Sequence, residues 1–86
     1  MRRKMYMEIQ FMDNLTEDLT FQVQKLDSSE KITSGVIHQG GSSAQISAMF
    51  PVDCELLLSL TTTSAGTKRG HVFFGYLNDE PAVGQQ

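Results

Sequence analysis

The sequence is poor in the residues that build disulfide-bonded, metal-clustered and membrane-spanning proteins. It holds one cysteine, two prolines and no tryptophan among 86 residues. A single cysteine excludes an internal disulfide and any site made of several cysteines. No apolar run approaches the roughly 20 residues of a membrane-spanning helix, so no transmembrane segment is predicted. A chain of this length has room for one hydrophobic core.

Positive charge is also scarce. Seven Lys and Arg stand against ten Asp and Glu, a net charge of -3, which argues against a general nucleic-acid binder. Three of the basic residues are Arg2, Arg3 and Lys4, and no apolar segment follows them, so we predict no signal peptide and a cytoplasmic protein. We predict a flexible basic end at 1–5, a single β domain at 6–77 and a flexible polar tail at 78–86.

Alternation of apolar and polar residues is the dominant pattern. It occurs in six short segments: Met7–Phe11, Leu19–Val23, Ile32–Ile37, Ala44–Phe50, Cys54–Leu60 and His71–Leu77. Short strands at this spacing, separated by turn residues, predict a small, mainly antiparallel all-β sandwich of about six to seven short strands. We expect four side chains to point into its core: Phe21, Ile46, Leu58 and Phe74.

Two segments need a local argument. Cys54–Leu60 is rich in leucine and has helix as an alternative, but the threonines that follow and the lack of capping residues favour a strand. Gly40 and Gly41 separate the third and fourth predicted strands, which predicts a hairpin between them.

The last predicted strand is apolar on both faces. Val72, Phe74 and Tyr76 share one face, and His71, Phe73 and Leu77 share the other. This pattern predicts a strand buried on both sides, with a second copy of the chain as one possible cover. We therefore expect a homo-oligomer that buries the Phe73 face.

Residues that would indicate catalysis or metal binding do not form a recognisable pattern. His38 and His71 lie far apart, no Gly-x-Ser-x-Gly elbow is present, and Cys54 falls on an apolar face. Gly40-Gly41 leads into a strand rather than into the helix that a phosphate-binding loop needs. We predict no enzyme activity, no catalytic or metal-binding residue and no cofactor.

One basic and aromatic grouping remains as a candidate binding site. It consists of Lys68, Arg69, His71 and Phe73. Such a grouping can stack on single-stranded nucleic acid, but the acidic remainder of the chain opposes that ligand. The alternative is a solvated loop followed by a core strand.

Two segments of the second half resemble the aegerolysins. Residues 36–44 are similar to their step of isoleucine, two residues, glycine, serine and alanine into a strand. Residues 64–73 resemble their approach of serine, glycine, threonine, any residue and glycine, although Arg69 breaks the spacing. Aegerolysins are longer, and the tryptophans associated with their membrane contact have no counterpart here. The resemblance implies one sandwich that recognises membrane lipids, sometimes beside a pore-forming partner.

Two functional hypotheses follow. The first is a non-enzymatic binding module that acts through a sheet face or its loops on a protein or lipid partner. The second is a small intracellular inhibitor, of the phage type, that binds and blocks a host enzyme or defence complex. Small size and acidic balance suit the second hypothesis, and the resemblance favours the lipid form of the first.

Overall fold

A computed structural model describes residues 2–63 and 66–76, and these form six strands in two three-stranded sheets. The strands are β1 (Arg2–Phe11), β2 (Leu19–Lys25), β3 (Lys31–Ile37), β4 (Ser43–Pro51), β5 (Leu56–Thr61) and β6 (Gly70–Tyr76). One sheet has the order β4-β1-β6 and the other β3-β2-β5, with every neighbouring pair antiparallel. The all-β prediction is confirmed, and the arrangement is that of a small sandwich. In the described ranges, no helix has the length and apolar character needed to cross a membrane.

The core lies mainly between the two central strands, β1 and β2. Their alternating inward side chains are buried: Met5, Met7, Ile9 and Phe11 on β1, and Leu19, Phe21 and Val23 on β2. Phe50 of β4 is fully buried beside them, and Ile46 and Leu58 pack against this core while partly exposed. Each fully buried side chain of this size stabilises the fold by roughly 1.5–3 kcal/mol. The inward direction predicted for Phe21, Ile46 and Leu58 agrees with this packing.

The first strand begins before the segment that alternation indicated. Arg2 already pairs with Pro51 of β4, so residues 2–5, predicted to be a flexible end, form part of β1. Arg2 also pairs with Glu30 across the sheets, and the Arg3 guanidinium lies 4.2 Å from the centre of the Tyr76 ring. Backbone pairing with the long strand β4 extends β1 through residues 2–4, although their side chains are polar. The tail predicted at 78–86 lies outside the described residues.

The connection at Gly40 and Gly41 is not a hairpin. β3 and β4 belong to different sheets, so the predicted hairpin is wrong and residues 38–42 cross the sandwich. The loop is held by the loop after β1, since Gly40 N–H donates to the Leu15 carbonyl and Leu15 N–H donates to the Gly41 carbonyl, each at 2.8 Å. Leu15 is buried, and Gly40 has a φ of 90°, which glycine adopts readily. Alternation located both strands but did not indicate that they lie in different sheets.

β6 is an edge strand and is not buried on either side. It pairs with β1 alone in the described sheet, and its inward residues Val72, Phe74 and Tyr76 are 49%, 41% and 60% exposed. On the outer face, Phe73 is 56% exposed, and Leu77 lies outside the described residues. Within residues 2–63 and 66–76, the chain itself therefore covers neither face of β6, and burial by a second copy stays a prediction.

β5 is a strand, as the threonines after it indicated. It begins at Leu56, two residues later than predicted, and Cys54 precedes it in a bend where it is partly exposed. The expectation that Cys54 packs on the apolar face of this strand is therefore wrong.

Candidate ligand-binding site

Three connections between the sheets meet at one end of the sandwich, which we call the loop end. They are residues 12–18 after β1, residues 38–42 after β3 and the segment between β5 and β6, described at 62–63 and 66–69. Backbone hydrogen bonds hold them together: Met12 N–H donates to the Arg69 carbonyl at 2.9 Å, and Leu15 exchanges two bonds with the loop after β3. The central position of β1 and β2 in their sheets brings these loops to one place.

Glu17 fixes the start of the third loop. Its Oε1 accepts hydrogen bonds from Thr62 Oγ1 at 2.5 Å, Thr63 N–H at 2.7 Å and Thr63 Oγ1 at 2.5 Å. Asp18 follows Glu17 in the loop after β1, and its Oδ1 accepts a hydrogen bond from the Gln39 N–H at 2.8 Å. Both carboxylates thus accept hydrogen bonds from neighbouring loops and help to position them.

An open cavity of about 500 Å³ lies between the first and third loops. It is lined by Phe11, Asp13, Asn14, Leu15, Thr16, Thr67, Lys68 and Arg69. Phe11 and Leu15 are buried and form an apolar floor, whereas Lys68 is half-buried and the other lining residues are exposed. The result is an apolar base beneath a polar rim.

The rim offers more hydrogen-bond donors than acceptors. Lys68 and Arg69 donate only, Asn14 and the two threonines both donate and accept, and the Asp13 carboxylate accepts. Two basic groups face one acidic group, so the rim is locally positive on a chain whose net charge is -3. This arrangement suits a ligand that carries an anionic group such as a phosphate. The same ligand would also carry a cationic or hydrogen-bond-donating group for the Asp13 carboxylate.

The structure brings together part of the predicted binding site. Lys68 and Arg69 line the cavity, and His71 lines a neighbouring shallow cavity of about 220 Å³ with Gln10, Phe11 and Met12. Phe73 does not line either cavity. It lies on the outer face of the β4-β1-β6 sheet, where its ring centre is 6.2 Å from that of Tyr6.

The outer face around Phe73 carries a hydrogen-bonded polar patch. The Tyr6 hydroxyl donates to Glu8 Oε1 at 3.2 Å, and Gln45 Nε2 donates to Glu8 Oε2 at 3.2 Å. Partial loss of solvent, followed by the negative charge of Glu8 and the hydrogen bond to it, raises the pKa of Tyr6. Tyr6, Glu8 and Gln45 already bond to one another here, so the patch offers a ligand fewer free polar groups than the cavity does.

Most of the cavity lining lies outside the binding site predicted from sequence. Asp13, Asn14 and Thr16 follow β1 as polar residues, which in sequence indicate only a break between strands, and Met12, which is 74% exposed at the loop end, gives no signal of its own. A run of polar residues after a strand is a signal for a loop, but it does not tell which other loop lies beside it. The sheet order places this run next to Thr67.

The two histidines lie at the loop end without forming a recognisable metal site. His38 Nδ1 is 3.6 Å from Asp18 Oδ2, and both side chains are exposed. Within residues 2–63 and 66–76, no three His, Cys, Asp or Glu side chains gather in a way that suits a metal ion. Comparisons of the chain with protein-family models, with curated proteins and with solved structures find no match.

Proposed function

We propose that the protein is a non-enzymatic binding module whose loop-end cavity holds the phosphate-bearing headgroup of a membrane lipid. The observation that carries the proposal is the position of Lys68 and Arg69 on a polar rim above the buried floor of Phe11 and Leu15. An apolar floor with a few convergent polar groups is the usual composition of a small-ligand site.

The rim supplies suitable partners for a phosphate. A guanidinium binds two phosphate oxygens through its fork of N–H groups, and an ammonium adds a compact positive charge. Thr16 and Thr67 lie on opposite loops of the rim and add hydroxyl donors. Because Lys68 is half-buried, its charge is less screened than that of a fully solvated lysine.

Met12 supports a membrane surface as the source of the headgroup. Its side chain is 74% exposed, and its N–H is bonded to the Arg69 carbonyl, so an apolar side chain lies beside the cationic rim. Apolar side chains beside lysine and arginine are typical of surfaces that lie at the boundary between lipid headgroups and acyl chains.

Vesicle co-sedimentation tests the proposal. We expect binding to vesicles of phosphatidylcholine and phosphatidylethanolamine, and little binding to vesicles of an uncharged glycolipid. The double variant Lys68→Ala/Arg69→Ala should lose at least about 10-fold in affinity, because even one hydrogen bond to a charged phosphate contributes about 1.5 kcal/mol.

The matched control is Lys4→Ala/Lys31→Ala, which removes two exposed basic side chains away from the cavity. It should bind as the unmodified protein does. Equal losses in the two double variants would mean that net charge, rather than the cavity, governs binding. No binding to any phospholipid vesicle would refute the proposal.

Asp13 separates two kinds of phosphate headgroup. Its carboxylate faces the same cavity as the two basic residues, so it is placed to bind the ammonium group of a zwitterionic lipid. We expect Asp13→Asn to weaken binding to zwitterionic vesicles and to strengthen binding to vesicles rich in phosphatidylglycerol, where the carboxylate repels the lipid. A parallel change on both vesicles would argue against this role. Competition by free glycerophosphate distinguishes recognition of the headgroup alone from recognition of a membrane.

The opposite end of the sandwich supports a second candidate function, that of an inhibitor of a protein with a basic surface. An open cavity of about 460 Å³ there is lined by Leu26, Asp27, Asp53, Cys54 and Glu55. Three carboxylates beside apolar groups complement a basic nucleic-acid-binding or catalytic surface. This function predicts that the protein forms a complex with a protein of basic surface, seen as a shift in gel filtration. Asp27→Asn/Glu55→Gln should weaken this complex. The unmodified protein should then not bind phospholipid vesicles.

A further inference from the structure

The two sheets are open along one side of the sandwich. On one side, β3 and β4 are joined by a short loop and approach each other closely. On the other side, Leu56 of β5 lines an open cavity of about 360 Å³ together with Phe74 and Tyr76 of β6. We call this second side, formed by β5 and β6, the open side.

Apolar side chains form both walls of the open side. On β5, Leu58 and Leu60 pair in register with Val23 and Phe21, which places them on the inward face of their sheet. On β6, Val72, Phe74 and Tyr76 pair with Ile9, Met7 and Met5, so they also face inward. Yet Leu60 is 46% exposed, and the three β6 side chains are exposed to similar or greater extents. These inward residues have no cover from within the described chain.

The backbone edges of β5 and β6 are also uncovered. Each is the last strand of its described sheet, so a row of its N–H and C=O groups has no strand beside it. Neither strand contains Lys, Arg, Asp, Glu or Pro, the residues that usually protect an exposed edge. On the opposite side, β3 begins with Lys31 and β4 ends with Pro51. The unprotected edges therefore coincide with the open side.

We propose that a second copy of this chain covers the open side, with β5 and β6 each pairing antiparallel to its own counterpart. A two-fold axis brings the same strand of two copies together in antiparallel orientation. Because β5 and β6 lie on the same side of the sandwich, one axis serves both strands. The dimer then has two continuous six-stranded sheets, and the apolar walls of each copy cover those of the other.

The inward apolar side chains supply most of the area that such a dimer needs. Phe74 and Tyr76 are 41% and 60% exposed, and Leu60 and Val72 are 46% and 49% exposed. At about 200 Å² for a whole aromatic side chain and somewhat less for an aliphatic one, these four residues offer roughly 350 Å² in each copy. Two copies thus contribute roughly 700 Å², and the two paired strand edges bring the contact toward the roughly 1,000 Å² of a specific interface. Neither strand carries a formal charge that would repel its counterpart.

The test is the mass of the protein in solution at tens of micromolar, by light scattering coupled to gel filtration. We expect twice the chain mass of 9.6 kDa. Val72→Lys places a charge on the edge strand of the open side and should shift the mass to one chain. Val36→Lys is the matched control, because Val36 lies on β3 at the closed side and is similarly exposed, at 44%. It should leave the mass at two chains.

Circular dichroism of each variant shows whether it has folded. If Val72→Lys does not fold, Leu60→Lys tests the same interface from β5. A mass of one chain for the unmodified protein at every concentration would overturn the proposal and leave the open side to a different partner. A monomeric Val36→Lys would place the interface elsewhere and would also overturn it.

Hydrogen exchange distinguishes edge pairing from packing through the Phe73 face. In the proposed dimer, the outward amides of Leu56–Thr61 and Gly70–Tyr76 gain partners in the other copy. Their exchange should slow by at least tenfold as the protein is concentrated, whereas that of Lys31–Ile37 should not change. A dimer without this slowing would show that the edges do not pair.

Discussion

Phe74 shows how a single residue can have the predicted direction without the predicted environment. Its side chain faces the core and meets the ring of Phe50 edge to face, with 5.1 Å between ring centres. It is nevertheless 41% exposed, because β6 lies at the edge of its sheet. Alternation determines the face on which a side chain lies, whereas burial depends on what lies across from that face.

We expect Phe74→Ala to lower the free energy of unfolding of the monomer by roughly 1–2.5 kcal/mol, below the roughly 3–5 kcal/mol of a fully buried phenylalanine. Phe50→Ala, at a fully buried position, should show that larger loss. Urea denaturation of both variants on the background of Val72→Lys separates this effect from dimer formation. Equal losses in the two variants would mean that Phe74 is covered in solution by something other than the dimer contact.

Tyr6 gives a prediction about pH. Because partial loss of solvent and the Glu8 carboxylate raise its pKa above the ordinary value of 10.0, the phenol stays neutral further into the alkaline range. A pKa raised by folding stabilises the folded state below the unfolded value, and that stability is lost as the pH rises through the folded value. In a Tyr76→Phe background, an ultraviolet difference titration should show Glu8→Gln moving the midpoint down toward 10.0. An unchanged midpoint would contradict the role of Glu8.

At the scale of the element, strand positions could be predicted from sequence, while strand neighbours could not. Alternation is local, and it located five of the six strands to within two residues of each bound, β1 being the exception. The sheet to which a strand belongs depends on contacts between distant residues. The turn at Gly40 and Gly41 looks like a hairpin in sequence, yet two hydrogen bonds join it to Leu15 in the loop after β1. The cavity was missed for the same reason.

Glycine at the start of β6 lets that strand lie against β1. A Cβ atom placed on Gly70 would meet the carbonyl oxygen of Gln10, a backbone atom that moves only if the strands separate. We expect Gly70→Ala to cost more than about 2 kcal/mol, in the range of other backbone clashes. Gly75→Ala is the matched control on the same strand, since its Cβ would lie 3.6 Å from the Phe73 ring, an ordinary contact. Thermal denaturation of both variants measures the difference. Similar midpoints for Gly70→Ala and Gly75→Ala would contradict this account.

At the scale of the whole molecule, the proposed dimer and the proposed lipid site together have a geometric consequence. Antiparallel pairing turns one copy end over end, so the two loop-end cavities face opposite directions. We expect the protein to cluster phospholipid vesicles, measured as turbidity. Val72→Lys should bind vesicles without clustering them, whereas Lys68→Ala/Arg69→Ala should bind weakly and cluster vesicles only at higher protein concentration. Clustering by a monomeric Val72→Lys would contradict the geometry.

The place of β1 in its sheet has a further consequence for biosynthesis. β1 precedes β4 and β6 along the chain and lies between them in the described sheet. On the ribosome, its apolar face emerges long before Gly70–Tyr76 has been made, whereas β2 can form its hairpin with β3 almost at once. The apolar side chains of Met5, Met7, Ile9 and Phe11 therefore stay open to non-native contacts until β6 has been translated. We expect chaperones that bind extended apolar segments to bind β1 during this interval.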